Sequence, residues 1–358
     1  MLNKKLLAVA VAASAIAPYA LADVTIYGTI NESIESVQAN GAAGAGKNLG
    51  TIGRVSSNVS KLGFKGTDDL GNGLKGIWQI EQEVSVDDGG SRKGVFASRN
   101  SFVGLNGQFG TFLMGNNDTV YKSLVKAAAV NPMGDSIADV CTSAAVFCRG
   151  DARLQNSVHY VSPVFAGLQA GVSYGFDELR AAPSGSTSAT DKSIWSYAVA
   201  YNYGAFNAGL GYDYRTQAKA VAGDLQLDQS FLKAMASYLF ETNTKVGIGF
   251  EQEKDQVHNA SDKKQNAWQI SAEQKFGNFG VNLAYSKLDE SKGGAKDGAT
   301  QWTLGSTYDL SKRTQVYAYY TRIDNQDNAT RTFGNAGLSG IAAGSNPTGV
   351  GAGMKVSF

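Results

Sequence analysis

The chain has 358 residues, with 43 glycines against 5 prolines, 16 tyrosines and 16 phenylalanines, and only 18% of its residues are charged. Leaving aside two lysines at the extreme N-terminus, the balance is 30 basic residues (32 − 2) against 31 acidic, which excludes the basic surplus of a nucleic-acid binder. A mean hydropathy of −0.19 with 43% hydrophobic residues also excludes a disordered chain and a bundle of membrane helices.

Residues 1–22 read as a secretory signal peptide: Lys4 and Lys5 start it, Leu6 to Ala17 form its apolar stretch, and Ala20-Leu21-Ala22 supply the small-x-small cleavage site. Asp23 is then the expected mature N-terminus, and 23–358 form a single domain. That apolar stretch is too short to span a bilayer, and no later run of about 18 apolar residues follows.

From residue 23 onward, short segments are apolar at every second position and end in Gly, Asn or Asp clusters, which is strand periodicity. In 74–86, Leu74, Trp78, Ile80, Val84 and Val86 share one face, and Lys75, Gln79, Glu81, Glu83 and Ser85 the other. Trp195, Tyr197, Val199, Tyr201 and Tyr203 line one face of 194–203. Val246, Ile248 and Phe250 oppose Lys245, Glu251 and Glu253, and Trp268, Ile270, Ala272 and Phe276 oppose Gln269, Ser271, Glu273 and Lys275.

Connections alternate between short and long. Residues 69–73, 108–110, 165–167, 241–243 and 278–280 are tight turns, whereas 38–52, 119–152, 178–192, 216–229, 289–299 and 325–346 read as loops. Short turns on one rim and long loops on the other fit an all-β transmembrane antiparallel β-barrel. Segments beginning near residues 24, 53, 74, 98, 111, 154, 168, 193, 206, 230, 244, 265, 281, 300, 314 and 349 predict about sixteen strands. Closure is required, because hydrocarbon leaves any unpaired strand edge without a hydrogen-bond partner. A barrel of this size is too wide for side chains to fill and leaves an aqueous channel, so its charged faces are expected to line water.

Cys141 and Cys148 lie close together in an aperiodic stretch of an exported chain, which favours a local disulfide over a metal site. Gly41 to Asn48 approximates a phosphate-cradling loop, yet Asn48 stands where a Ser or Thr hydroxyl is needed and no helix follows. His159 and His258 are the only histidines. Ser157 and His159 share parity toward the lumen, and the pairs Glu81/Glu83 and Glu251/Glu253 read as acids of a hydrated wall. No enzymatic activity, metal or cofactor is expected.

Three stretches carry a more specific signal: SKLGFKGTDDLGNG at 60–73, SRNSFVGLNGQFGTFLMG at 98–115 and ARLQNSVHYVSPVFAGLQAG at 152–171. With VTIYGTI at 24–30 and GVGAGMKVSF at 349–358, they resemble the Gram-negative general porins, especially the trimeric sixteen-stranded class of neisserial and other β-proteobacterial members. The resemblance implies a homotrimer in outer-membrane lipid that passes ions and small hydrophilic solutes passively. It also implies a third outer loop folded inward, here 119–152, facing a ladder of basic residues.

The basic positions of those motifs fall on Lys61, Arg99 and Arg153, and Asp135 and Asp139 are the candidate acids of the loop. Parity agrees: with Leu62 and Phe64 toward lipid, Lys61 and Lys65 point in; with Phe102 out, Arg99 points in; with Val158 and Tyr160 out, Arg153, Gln155, Ser157 and His159 point in. A mild anion preference is expected. The alternative is a channel selective for a sugar or dicarboxylate.

Overall fold

The computed structural model describes residues 23–358 apart from 45–46, 90–95, 179–191, 222–224, 258–261 and 294. Residues 1–22, where a signal peptide is expected, and His258 lie outside the described residues, as do parts of the 41–48 and 178–192 stretches.

Seventeen strand segments follow one another: β1 (Asp23–Asn40), β2 (Leu49–Ser57), β3 (Lys61–Gly71), β4 (Leu74–Glu83), β5 (Ser101–Gly107), β6 (Gly110–Asp118), β7 (Arg153–Val161), β8 (Leu168–Gly175), β9 (Ile194–Tyr203), β10 (Phe206–Val221), β11 (Leu225–Leu239), β12 (Thr244–Val257), β13 (Lys263–Phe276), β14 (Phe279–Leu288), β15 (Ala299–Asp309), β16 (Thr314–Asn325) and β17 (Asn346–Ser357). Among the described residues one short helix, α1 (Val120–Lys126), stands between β6 and β7. Each segment is antiparallel to the next, except that β2 and β3 are two halves of one strand. The distal part of β1 pairs with β2 and its start pairs with β3, across a break at Asn58-Val59-Ser60. Sixteen strands therefore close a barrel when β1 meets β17, from Thr29 opposite Ser357 to Asn40 opposite Asn346. Closure gives the backbone groups along the sheet internal partners and leaves no edge in hydrocarbon.

Side-chain alternation sorts the wall into two faces. Ile26, Ile34, Trp195, Tyr197, Val199, Ile248, Trp268, Ile270, Trp302 and Leu304 are exposed on the outside. Asn31, Ser33, Glu35, Ser196, Lys233, Glu251, Gln269 and Thr303 are buried on the inside. Burying such polar groups stabilises nothing by itself, so most need a partner within the lumen, although Gln269 Nε2 has none among the described residues.

Two expectations need correction. The stretch 216–229 is largely strand rather than loop: β10 continues to Val221 and β11 starts at Leu225, with a register shift between Arg215 and Lys219. Ladder hydrogen bonds do not depend on side-chain type, so a hairpin whose sequence is rich in Ala, Gln and Asp, with little contrast between alternate positions around Gly223-Asp224, reads as a loop. Phe102 also points into the barrel, since it lies opposite Gln79, whereas Val103 lies opposite Trp78 on the lipid side. Arg99 nevertheless reaches the lumen, because it precedes β5 and Ala97 turns the chain with a φ of 62°. Parity counted back from a strand fails once the backbone leaves the pleat.

Candidate functional site

The segment 119–152 begins as a capped helix. Thr119 Oγ1 accepts the Lys122 amide at 3.2 Å and so occupies one of the donors that every helix N-terminus leaves open. From there the chain crosses the inner face of the wall. Val120 N donates to Ser173 Oγ on β8 (3.0 Å) and Tyr121 N to Ser196 Oγ on β9 (3.1 Å). On β15, Thr303 Oγ1 donates to the Ala138 carbonyl at 3.1 Å.

The strongest anchor is on β11 and β12. Glu251 is fully buried and accepts Tyr121 Oη (2.7 Å), Arg149 N (2.8 Å) and Gly150 N (3.1 Å). The Arg149 side chain binds Glu253 (2.5 Å) and Gln265 Oε1 (3.1 Å), while Lys233, also fully buried, pairs with Asp151 and lies 4.2 Å from the Tyr121 ring. Charges held this far from water persist only when so matched. Glu251 and Glu253 are thus the fastening of the segment, not acids of a freely hydrated wall.

Apolar contacts complete the seat. Val120, Val125, Met133, Ile137 and Phe147 are buried in one cluster with Val37 and Phe333. Glycines on the inner face make room for them. A Cβ at Gly249 would lie 2.5 Å from the Phe147 ring, and one at Gly349 would lie 2.5 Å from Ile137 Cδ1; Gly209, Gly211 and Gly305 sit in the same way beneath Val125, Tyr121 and Met133. Segment 119–152 therefore lies against β8 to β17 and against Val37 on β1, and leaves uncovered the wall from β3 to the start of β7, where Arg153 lies.

That uncovered wall carries the predicted cations. Lys61 lies opposite Thr29 and Glu83 and makes no ion pair among the described residues. Lys65 stands over the Tyr27 ring at 5.2 Å. Arg99 Nε binds Glu81 Oε1 at 2.6 Å and Nη1 binds Glu83 Oε2 at 3.2 Å. Burial alone would lower the guanidinium's pKa, but the hydrogen bond to Glu81 and the charges of Glu81 and Glu83 outweigh it and hold it above its ordinary value. Arg153 Nε contacts Asp118 Oδ1 at 3.0 Å and Asn100 Oδ1 at 2.7 Å, and Lys122 reaches the same Asp118 oxygen at 3.0 Å. The ladder is therefore interleaved with acids of the wall itself.

The two loop acids differ. Asp135 makes no ion pair among the described residues, and its charge contributes to raising Arg99. Asp139 is buried and accepts Asn131 Nδ2 (2.6 Å), the Asp135 amide (3.0 Å) and the Cys141 amide (2.8 Å). Burial pushes its carboxyl up, opposed by Lys126 and those amides. It ties the loop to itself and does not face the lumen water. Cys141 and Cys148 are bonded to each other and buried in the apolar cluster beneath the same stretch. Ser157 and His159 form a buried chain, Ser157 Oγ to His159 Nε2 and His159 Nδ1 to Ser173 Oγ, each at 2.8 Å. Since Ser173 also holds Val120 N, this chain supports the start of the loop.

Sequence reasoning missed Glu81, Glu83 and Asp118 as partners of the ladder and Arg149 as a loop anchor. The available signal was parity: Glu81 and Glu83 share the inward face with Gln79.

The profile described as Gram-negative porin matches residues 8–328. Outer membrane porin protein 32 of Delftia acidovorans is 32% identical over 368 residues, covering 100% of both chains. Major outer membrane protein P.IB of Neisseria meningitidis serogroup B is 32% identical, covering 88% of this chain and 91% of its own. Among solved structures, the anion-selective porin from Comamonas acidovorans superposes with a TM-score of 0.79 at 28% identity, over 94% of this chain and 100% of that one. These relatives are porins, channels rather than enzymes. A closed sixteen-stranded barrel with an oily exterior and a polar lumen, matched along nearly its whole length by such relatives, belongs to the Gram-negative porin family and serves passive diffusion across the outer membrane.

Proposed function

We propose that solutes pass between segment 119–152 and the β3–β7 wall, and that this gap has a mild preference for anions. The observation carrying this reading is the local charge balance. Lys61, Lys65, Arg99, Lys122 and Arg153 stand against Glu81, Glu83, Asp118 and Asp135, while Asp139 is withdrawn by burial. Opposed fixed charges orient dipolar solutes, and an excess of cations favours anions. Pairing within the wall keeps that excess small. The anion-selective relative from Comamonas acidovorans supports the same sign. Reversal potential across a salt gradient in a planar bilayer tests the proposal, and cation preference would overturn it.

Trimeric assembly follows from the family resemblance and is checked by heat-sensitive migration on a denaturing gel; migration as a monomer without heating refutes it.

A further inference from the structure

We propose that a cavity on the lumen side of the long-loop rim binds a small zwitterion, a solute of amino-acid or dipeptide size with a free carboxylate and a free ammonium. The cavity lies over β12 and β13, on a different arc of the barrel from the β3–β7 wall, so its ligand is a matter separate from the ion preference of the gap there. It encloses about 450 Å³, within the range of about 300–1,000 Å³ usual for small-molecule sites. Two cross-strand pairs make its floor, Glu253 opposite Gln265 and Asp255 opposite Lys263. Ala144 of segment 119–152, Asp297 from the β14–β15 connection and Arg331 from the β16–β17 connection close round it.

Charge fixes the class of ligand. Arg331 is half-buried, lines the cavity and makes no ion pair among the described residues. Burial and the charge of Arg149 lower its pKa, and Glu253, Glu251 and Asp297 offset them only in part, so the guanidinium is under-compensated where it stands. Such a group is matched best by a carboxylate, which it binds through two parallel hydrogen bonds. The acids of the floor serve the other end. Gln229 Nε2 donates to both Glu253 Oε1 (2.7 Å) and Asp255 Oδ1 (2.9 Å), so one neutral amide holds two carboxylates side by side. Arg149 reaches Glu253 at 2.5 Å, whereas Lys263, although opposite Asp255, pairs with Asp297 at 3.2 Å. Two neighbouring acids attract an ammonium and repel a second carboxylate. Among the described residues, Arg149, Lys263 and Arg331 around the cavity balance Glu253, Asp255 and Asp297. Walls with no net charge but with separate ends of opposite sign favour a molecule that bears both charges over a simple anion or cation.

The test titrates the native detergent-solubilised protein by saturation-transfer NMR with three probes: alanyl-alanine, its N-acetyl form, which lacks the ammonium, and its C-terminal amide, which lacks the carboxylate. Alanyl-alanine should bind saturably, each blocked form about fivefold more weakly, and Arg331→Gln should weaken alanyl-alanine about tenfold. Equal binding of either blocked form, equal binding by the variant, or no saturable binding of alanyl-alanine would each overturn the proposal. Binding is read at equilibrium without a current, so a cation-preferring reversal potential would overturn the proposed selectivity and leave this result standing. Should Arg331→Gln fail to fold, Asp255→Asn reads the other end. It should weaken alanyl-alanine several-fold and leave the N-acetyl form unchanged, and unchanged binding of alanyl-alanine refutes the site.

Discussion

The two halves of the lumen wall use buried charge in opposite ways. From β8 to β17 many inward side chains are sealed beneath segment 119–152: Glu251 and Lys233 have no solvent exposure and each is matched by groups of the loop. From β3 to β7 the inward charges are matched by the wall itself, Arg99 by Glu81 and Glu83 and Arg153 by Asp118. The first half fixes where the loop sits, and the second sets the field it faces. A porin wall is therefore not uniformly a water-bearing surface. Part of it is a protein interior with a core of its own.

The largest effect should come from the covered half. Glu251→Leu removes the acceptor shared by Tyr121, Arg149 and Gly150 and leaves Arg149 and Lys233 in a less compensated site. A loss of about 3–5 kcal/mol is expected, read as a lower unfolding temperature, together with noisy single-channel current. An unchanged unfolding profile would place the fastening elsewhere.

Replacing Cys141 and Cys148 by Ser frees a short loop within the same half. The chain-entropy argument gives a cost of about 2–3 kcal/mol, again with added current noise. Gly249→Leu places side-chain atoms where the Phe147 ring lies. Overpacking of this kind costs about 1–3 kcal/mol, and the displaced loop should alter conductance, whereas the same change at exposed Gly53 should not.

In the uncovered half, charge substitutions should leave stability nearly unchanged and move selectivity instead. Arg99→Ser removes the guanidinium bound to Glu81 and Glu83 and so one positive charge from the wall, and should shift the reversal potential toward cations. Lys61→Gln, which breaks no ion pair among the described residues, should shift it in the same direction by less. If Arg99→Ser destabilises the barrel as much as Glu251→Leu, the distinction between the two halves is lost.

Much of this fold was legible from residue order. Sixteen segments, their approximate starts and the alternation of tight turns with long loops follow from period-two patterning, because a strand between lipid and water must alternate. The patterning failed where its physical cause was absent. The 216–229 hairpin, rich in Ala, Gln and Asp, offers little contrast between alternate positions, and Arg99 lies before the pleat of β5 begins. Asp139 was recognised as a loop acid but not as a buried one, since nothing local distinguishes a carboxylate facing water from one capturing two backbone amides.

Composition and period by themselves determined that this chain is a closed, water-lined barrel, because each strand's two faces meet two different solvents and most alternate positions report which one they meet. Only the tertiary structure decided which inward charges face water. That depends on a loop brought across the lumen onto glycines far apart in sequence, and on cross-strand partners such as Arg99 with Glu81 that no single segment contains.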